Sequence, residues 1–262
     1  MKTNPIIEKM LNRKSIRAYS DREPTQEELE IIVRAGQQAP FASQLGSILM
    51  KRDRENTPFN SPLYFIFCVD AHKWERIMAQ RGWEMVASDL LILLLGMQDA
   101  ALMAENIVIA AESIGMGSCF LGAIPYHAEE IIAEYNLPAR VFPMVGLTVG
   151  FPAETPPPRP RYPMDFVLFE DTYPTFTEAQ VQEAMTMMDE GYLAQDYYNK
   201  LKAKIKIRDK NKEDLFDYRT YSWTEHISRK WGQNLFPPNL IEKFEKCGFY
   251  IDKRVPDTAS KE

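Results

Sequence analysis

Two short basic clusters are the residues of this chain best suited to chemistry. The first, Arg13-Lys14-Ser15-Ile16-Arg17, offers two guanidiniums, one ammonium and one hydroxyl, and the second, Arg159-Pro160-Arg161, holds two guanidiniums in a proline-stiffened loop. Guanidiniums bind phosphate through paired, charge-assisted hydrogen bonds, and a restricted backbone loses little entropy on binding. We interpret both clusters as candidate phosphate ligands. Arginine pairs are also common on solvated surfaces, so spacing alone does not prove that the clusters converge.

Other common catalytic arrangements do not occur in the sequence. It contains no GxGxxG loop, Walker A loop, GxSxG elbow, CxxC pair or HExxH pair, and its three histidines and three cysteines are scattered without metal-ligand spacing. Cys68 and Cys119 lie in apolar runs and are interpreted as reduced core thiols. We therefore predict no metal site and no histidine-centred acid–base site.

Three helices are predicted to position the first cluster. The opening helix is expected to bury four apolar side chains: Ile6, Ile7, Met10 and Leu11. Thr25 and Glu28 form a capping-box pattern that begins a second helix through about Gln38. In the third, Asp99 is placed to cap the start and Gly115 to end it. The polar residues of this third helix form one narrow stripe, which predicts a position in the core or in an interface.

Apolar runs predict the strands of a central sheet, and a change of composition predicts a second region. The expected strands are 47–50, 63–69, 118–121 and 144–149. A proline-rich loop at 152–163 follows the last of them, and after Pro174 the chain turns to polar helical stretches at 178–189 and 193–206. We predict a main domain at 1–174 and a C-terminal extension at 175–262.

Composition and charge exclude several classes of protein. A chain of 262 residues with 45% hydrophobic content can bury an ordinary core. The net charge of -6 argues against nucleic-acid binding, which needs clustered cations to displace counterions. The first residues lack a signal-peptide pattern, and the longest apolar run, Leu90 to Leu95, is far too short to span a membrane. We expect a cytoplasmic protein that binds no nucleic acid and no membrane.

The same residues, taken in order, resemble a known family along nearly the whole chain. The run 13–17, followed by Tyr19-Ser20-Asp21 and Pro24, resembles the N-terminal flavin-binding signature of FMN-dependent nitroreductases. Segments 99–106 and 110–123 are similar to that family's central helix and following strand. The pattern is completed by 137–138, Pro143, 146–152 and 159–163, and the late stretch 223–230 resembles the C-terminal arm of the larger oxygen-insensitive, NADPH-preferring nitroreductases and flavin reductases.

The resemblance implies a fold and an activity. The fold would be α+β, an antiparallel sheet flanked by helices in an intertwined homodimer, with the C-terminal extension wrapping the dimer. The activity would be ping-pong, two-electron reduction of nitroaromatics, quinones or flavins with FMN as cofactor and NADPH or NADH as donor. No protein side chain would be catalytic, because the flavin carries the chemistry.

The resemblance also implies cofactor-binding residues. Arg13, Ser15, Arg159 and Arg161 would hold the FMN phosphate, and Lys14 is a further candidate for binding the cofactor. Arg17 would lie near the pyrimidine edge of the flavin, where a guanidinium stabilises the negative charge of the reduced ring. Backbone at Phe120, Leu121 and Gly122 would approach the ring, and a glycine suits a position where backbone lies close to a flat surface.

One segment departs from the family pattern. Where the family has hydroxyl side chains followed by Asn and Gln, this chain has Phe41-Ala42-Ser43-Gln44, of which only Ser43 and Gln44 offer polar side chains for the flavin. The departure leaves two alternatives open: a flavin-binding or sequestering protein with low turnover, and a specialised flavoenzyme acting on one metabolite.

The region 200–219 is the candidate for recognising the nicotinamide. The related branch binds the 2′-phosphate of NADPH with basic residues of the C-terminal excursion. Here the region is rich in Lys and Arg but also holds four carboxylates, which would offset part of a phosphate contact. We expect both nicotinamides to be used, with a preference for NADPH of about tenfold.

Overall fold

The computed structural model describes residues 3–208, 213–214, 216–233 and 239–251. The chain divides into two compact units: the first comprises Met1–Pro156 and Pro237–Glu262, and the second comprises Pro157–Phe236. The described residues do not include all of the predicted extension 175–262 or all of the region 200–219 within it. The predicted boundary at residue 174 stays a prediction.

The first unit is built on an antiparallel sheet of four described strands. These are β1 (Gly46–Lys51), β2 (Leu63–Asp70), β3 (Gly117–Leu121) and β4 (Val141–Gly150), in the order β1-β2-β4-β3. β2 is buried from Leu63 to Val69, as its unbroken apolar run predicts for a central strand. All four predicted strands are confirmed, and β4 begins at Val141, three residues earlier than expected.

Helices cover the sheet of the first unit and also occur in the second unit. In the described part of the first unit they are α1 (Pro5–Leu11), α2 (Gln26–Gln37), α3 (His72–Gln80), α4 (Asp89–Ser113), α5 (Ala128–Tyr135) and α9 (Leu240–Lys246). In the described part of the second unit they are α6 (Glu178–Ala194), α7 (Tyr197–Leu201) and α8 (Trp223–Gly232). The predicted α+β class with an antiparallel sheet is confirmed.

α4 is the core helix of the first unit, and it begins ten residues before the predicted start. The Ser88 side chain accepts a hydrogen bond from the Leu91 N–H and caps the helix, so the prediction that Asp99 is the cap is wrong. The leucine-rich run after Ser88 continues the helix through Asp99, which is 3% exposed. The predicted end is confirmed, because Gly115 takes a left-handed φ of 88° just beyond the last turn.

Membrane spanning is possible for α4 by length and composition. It is the one helix of the described chain that meets both conditions, and 44% of its most apolar stretch is buried inside the protein. Buried core helices of globular domains meet the same conditions, so this result is weak evidence for a membrane span.

The opening helix forms as predicted, but its apolar side chains are not buried as predicted. The Asn4 side chain caps α1 by accepting hydrogen bonds from the N–H groups of Ile6 and Ile7. None of its residues is buried, and Ile6 and Leu11 are 60% and 63% exposed. The prediction is wrong for a single chain because this two-turn helix contacts α4 along one side and leaves its apolar side chains facing outward.

Side-chain hydrogen bonds fix the starts of α6 and α8 in the second unit. Thr177 and Gln180 form the capping box of α6, and the Asp189 carboxylate accepts from the N–H and hydroxyl of Thr224 at the start of α8. The predicted helix at 193–206 is wrong beyond Leu201. Residues 203–208 are not helical, and their backbone is bound by the Tyr221 hydroxyl and by the side chains of Arg229 and Gln233.

Candidate functional site

The basic run 13–17 lies in extended conformation beside β3. The Ile16 N–H donates to the Ser118 carbonyl over 2.8 Å, and Ser15 and Ser118 form a parallel bridge. Alternate side chains of an extended segment point to opposite faces. Arg13 and Ser15 lie on one face of the run, whereas Lys14 and Ile16 line a cavity on the other.

Arg13 is the charged group of this face whose surroundings are most unusual. Its guanidinium carbon lies 5.7 Å from the centre of the Phe120 ring, and Nη1 donates to the Ser15 hydroxyl over 3.4 Å. Nη2 is buried, and within the described chain it has no hydrogen-bond partner. A buried donor without a partner costs about 1 to 3 kcal/mol. An anion bound to Nη2 would offset this cost.

Three cations of the run are uncompensated by carboxylates at ion-pair distance. The ion pairs of the described residues include none of Arg13, Lys14 and Arg17. Unpaired positive charge of this density attracts phosphate, whereas a structural surface cluster is more often offset by neighbouring acids.

Lys14 lies apart from the other predicted ligands. It lines a cavity of about 280 Å³ with Lys9, Glu112 and Glu154, on the side occupied by Ile16. Burial raises the pKa of Glu112, and the positive charge of Arg13 opposes that shift. The structure brings Arg13 and Ser15 together but does not bring Lys14 into their group.

Glu154 was not singled out by the sequence, yet it fixes the backbone of the run. Its Oε1 accepts hydrogen bonds from the N–H groups of Arg17, at 2.5 Å, and Ala18, at 3.0 Å. The Tyr19 hydroxyl donates to the Ile16 carbonyl over 2.8 Å and lies 2.7 Å from the Thr148 hydroxyl. Burial raises the pKa of Tyr19, so this phenol stays neutral and holds the run against β4.

The predicted ring-contacting residues lie where β3 ends. Phe120 and Leu121 are its last two residues, and Gly122 begins the turn that follows. A Cβ added at Gly122 would meet no heavy atom within 4 Å in the described chain. The backbone there borders open space on the side where a side chain would project.

The segment 41–44 is held by the core helix. Both Asp99 oxygens accept backbone hydrogen bonds from it: Oδ1 from Ala42 at 2.6 Å, and Oδ2 from Ser43 at 3.2 Å and Leu45 at 2.9 Å. Gln44 has a left-handed φ of 51°, which turns the chain so that the Leu45 N–H meets the carboxylate. The segment is thus a defined loop rather than a free connection.

A small cavity of about 190 Å³ lies against this loop. Its walls include Phe41, Gln44, Lys73 and Asp99. Lys73 Nζ donates to the Gly46 carbonyl over 2.6 Å, and burial lowers the pKa of Lys73 while nearby carboxylates oppose that shift. The side chain of Phe41 is 53% exposed at the rim.

The second basic cluster belongs to the second unit. The Arg159 guanidinium lies 4.1 Å from the centre of the Tyr197 ring and donates to Gln195 Oε1. Arg161 Nη1 donates to the carbonyls of Arg159 and Pro160 at 3.0 and 2.9 Å. Neither arginine has a carboxylate at ion-pair distance within the described ranges. Their convergence with Arg13 stays a prediction.

Two of the four carboxylates in the region 200–219 are engaged by arginines of the same unit. Asp217 pairs with Arg219 at 2.6 Å, and Asp214 pairs with Arg229 at 2.7 Å. Arg229 lies outside the region and offsets the charge of Asp214, whereas Asp217 and Arg219 both belong to the region and offset each other.

The sheet and the core helix define an α+β protein, and within its described residues two guanidiniums beside β3, those of Arg13 and Arg17, have no carboxylate at ion-pair distance. The Nitroreductase family matches residues 58–151. The FMN reductase (NADPH) of Bacillus subtilis (strain 168) is 32% identical over 213 residues, covering 74% of this chain and 84% of that protein. This chain belongs to the nitroreductase family.

Two further comparisons extend over most of the chain. The FMN reductase [NAD(P)H] of Bacillus subtilis (strain 168) is 28% identical over 268 residues, covering 95% of this chain and all of that protein. The solved structure of B. megaterium NfrA2 superposes with a TM-score of 0.80 at 25% identity, covering 96% of this chain and 100% of that one. The similarity therefore includes the second unit as well as the sheet.

Proposed function

We propose that this protein is an FMN-dependent oxidoreductase that takes electrons from NADPH or NADH and reduces small acceptors: nitroaromatics, quinones or flavins. The proposal is supported by relatives whose names specify FMN and NAD(P)H reductase activity. The oxygen-insensitive NADPH nitroreductase of Salmonella typhimurium, 31% identical over 72% of this chain and 83% of that protein, extends the acceptor class to nitro compounds.

The buried, unpartnered Nη2 of Arg13 is the observation that carries the cofactor assignment. A phosphate oxygen beside it would satisfy the donor and neutralise the guanidinium at once. The Ser15 hydroxyl, already within reach of Nη1, offers a further donor to the same phosphate. FMN has one terminal phosphate and one flat ring, and the open backbone at Gly122 suits the ring.

The proposed site assigns each remaining residue a task in binding or tuning. We propose Arg159 and Arg161 as further phosphate ligands of the cofactor, and Arg17 as the residue near its pyrimidine edge. Lys14 contributes charge from the opposite side of the strand. The ring-facing residues are those of β3 and of the Asp99-bound loop: Phe120, Leu121, Gly122, Phe41, Ala42, Ser43 and Gln44.

FMN bound there supplies the acceptor for hydride from the nicotinamide and the donor of two electrons to the second substrate. The protein binds the cofactor, fixes its orientation and limits the space beside it. A guanidinium at Arg17 favours negative charge on the neighbouring ring edge, and therefore favours the reduced state. No side chain of this site is required as a general acid or base.

A cytoplasmic homodimer is the proposed assembly, with 175–262 as the extension that wraps the partner. The outer side of α4 carries an apolar stripe of exposed leucines: Leu90, Leu91, Leu94 and Leu102. α1, which packs on α4, also carries exposed apolar side chains. Exposed apolar side chains on neighbouring helices are typical of an interface between subunits.

NADPH is the proposed preferred donor. Lys202, Lys204, Lys206 and Arg208 are exposed, and none of them has an ion pair within the described residues. Because Asp214 and Asp217 are bound to arginines, these four cations remain available to a 2′-phosphate.

Two measurements on the purified protein test the function. The released cofactor is identified by chromatography, with FMN at one per chain expected; FAD, or no flavin after reconstitution, would refute the cofactor. NADPH oxidation is then followed with and without menadione under anaerobic conditions. Bound FMN without acceptor-dependent NADPH or NADH oxidation would instead favour a flavin-sequestering protein.

A further inference from the structure

Asp99 is a buried carboxylate in the middle of a core helix, where a carboxylate is costly. It is 3% exposed, and no arginine or lysine of the described chain lies within ion-pair distance of it. An uncompensated carboxylate in an apolar core is strongly destabilising, so its hydrogen bonds must offset its desolvation. All of its hydrogen bonds in the described structure go to one loop.

The three bonds fix most of the backbone of that loop. Three of the four N–H groups from Ala42 to Leu45 point at Asp99, and the left-handed φ of Gln44 is compatible with that arrangement. A non-glycine residue keeps such a φ only where its surroundings stabilise it. Asp99 therefore selects one conformation of the loop, and with it the directions of the Ser43 and Gln44 side chains.

Two side chains of α3 hold the same loop from a second direction. The Trp74 indole N–H donates to the Ser43 carbonyl over 2.5 Å, and Lys73 Nζ donates to the Gly46 carbonyl and lies 3.3 Å from the Ser47 hydroxyl. Asp99 binds three N–H groups of the loop, while α3 binds the Ser43 carbonyl of the loop and the Gly46 carbonyl at the start of β1. Each peptide group is thus oriented by a side chain that belongs to the rigid frame of the unit.

We propose that Asp99 is a positioning residue for the cofactor: by binding the loop's N–H groups it presents Ser43 and Gln44 to the flavin ring and ribityl chain. The inference rests on the proposed function, in which the loop contacts FMN. It also explains how a segment with Phe41 and Ala42 in place of hydroxyl side chains can still serve the cofactor. The polar contacts are concentrated on two residues, whose directions the buried carboxylate holds constant.

Asp99→Asn is the discriminating substitution. The amide keeps the size of the side chain but replaces one acceptor oxygen by an NH2 group, which faces a loop N–H instead of accepting from it. Apoprotein is titrated with FMN and with riboflavin, which shares the ring and ribityl chain but lacks the phosphate. We expect about tenfold weaker binding of both ligands, so that the ratio of their Kd values is unchanged.

Three comparison variants make the result specific. Arg13→Met should weaken FMN and leave riboflavin unchanged, because it alters the phosphate end. Gln44→Ala should weaken both ligands and thereby tests whether the loop contacts the flavin at all. Trp74→Phe removes the hydrogen bond to Ser43 while keeping an aromatic side chain, and about threefold weaker binding of both ligands is expected. It carries the test if Asp99→Asn does not fold.

Urea unfolding of each apoprotein ensures that affinities are measured under conditions in which the variant is folded. The visible circular dichroism of the bound flavin reports the orientation of its ring. A changed flavin spectrum in Asp99→Asn, at full saturation, distinguishes positioning from a loss of stability. If Gln44→Ala weakens both ligands but Asp99→Asn and Trp74→Phe weaken neither, the positioning role is refuted and the site stands. If Gln44→Ala changes neither ligand, the proposed loop contact is refuted and the inference falls with it.

Discussion

Replacing Arg13 by Met should have opposite effects on cofactor binding and on the stability of the apoprotein. Methionine keeps an unbranched side chain against the Phe120 ring but removes the guanidinium. A hydrogen bond to a charged group contributes about 1.5 to 3 kcal/mol, so FMN should bind roughly 10- to 150-fold more weakly. The buried Nη2 has no partner in the described chain, so its removal should stabilise the apoprotein by about 1 to 3 kcal/mol.

Lys14→Met is the matched control for this prediction. It removes the same charge from the neighbouring residue, whose side chain lines the cavity on the other face of the strand. FMN and riboflavin affinities come from fluorescence titration of the apoproteins, and apoprotein stability comes from urea unfolding. We expect Lys14→Met to change FMN affinity by less than about threefold. Equal losses in the two variants would show that long-range charge, not contact with Arg13, holds the phosphate.

Three further outcomes are expected. Burial raises the pKa of Glu112 in the folded state. The protonated side chain therefore contributes stability that is fully present below the unfolded-state pKa of about 4.3 and is lost as the pH rises through the higher folded-state pKa. Glu112→Gln should stabilise the protein at pH 7 and not at pH 3.5, which urea unfolding can check. Leu94→Glu should dissociate the dimer in sedimentation, whereas Ile77→Glu, equally exposed on α3, should not; a dimer that survives both places the interface elsewhere. NADPH should exceed NADH in kcat/KM by about tenfold, and an equal or higher value for NADH would refute a 2′-phosphate site at 200–219.

Local patterns predicted the sheet and several helix ends because their causes are local. The capping box at Thr25 and Glu28 is complete, with the Thr25 hydroxyl accepting from the Glu28 N–H and the Glu28 carboxylate accepting from the Thr25 N–H. β2 is predicted by an apolar run that is too long and continuous for an edge strand. Gly115 ends α4 because its φ is accessible to a residue without a side chain.

The start of α4 was mispredicted because two local signals compete and tertiary structure decides between them. Ser88 and Asp99 are both good helix caps, and an apolar run lies between them. The apolar run is helical because it packs on the sheet, which leaves Asp99 inside the helix with its carboxylate free to bind another segment. The hydrogen bonds between Asp99 and the 42–45 loop become visible only in the three-dimensional structure, because no spacing in the sequence predicts that these segments are close.

The site depends on long-range pairing in the same way. Glu154 is 137 residues from Arg17, and it is recognisable as a backbone ligand only when the run 13–17 lies beside β3. The same placement sends Lys14 to the opposite face from Arg13, although the sequence offers both as phosphate ligands. A cluster of basic residues therefore predicts the chemistry of a site, but the strand it lies on decides which members reach the ligand.

Asp99, which is buried, and Arg13, one nitrogen of which is buried, differ in what compensates their charge, and that difference indicates their roles. Backbone N–H groups of the protein bind the Asp99 carboxylate, so the free-energy cost of its desolvation is offset without a ligand. The effect of these hydrogen bonds is to keep the loop in one conformation. Arg13 retains an unpartnered buried donor, so part of its cost is recovered only when an anion binds. A ligand that binds the folded state in this way stabilises it by mass action. We infer that the first charge is there for preorganisation and the second for affinity.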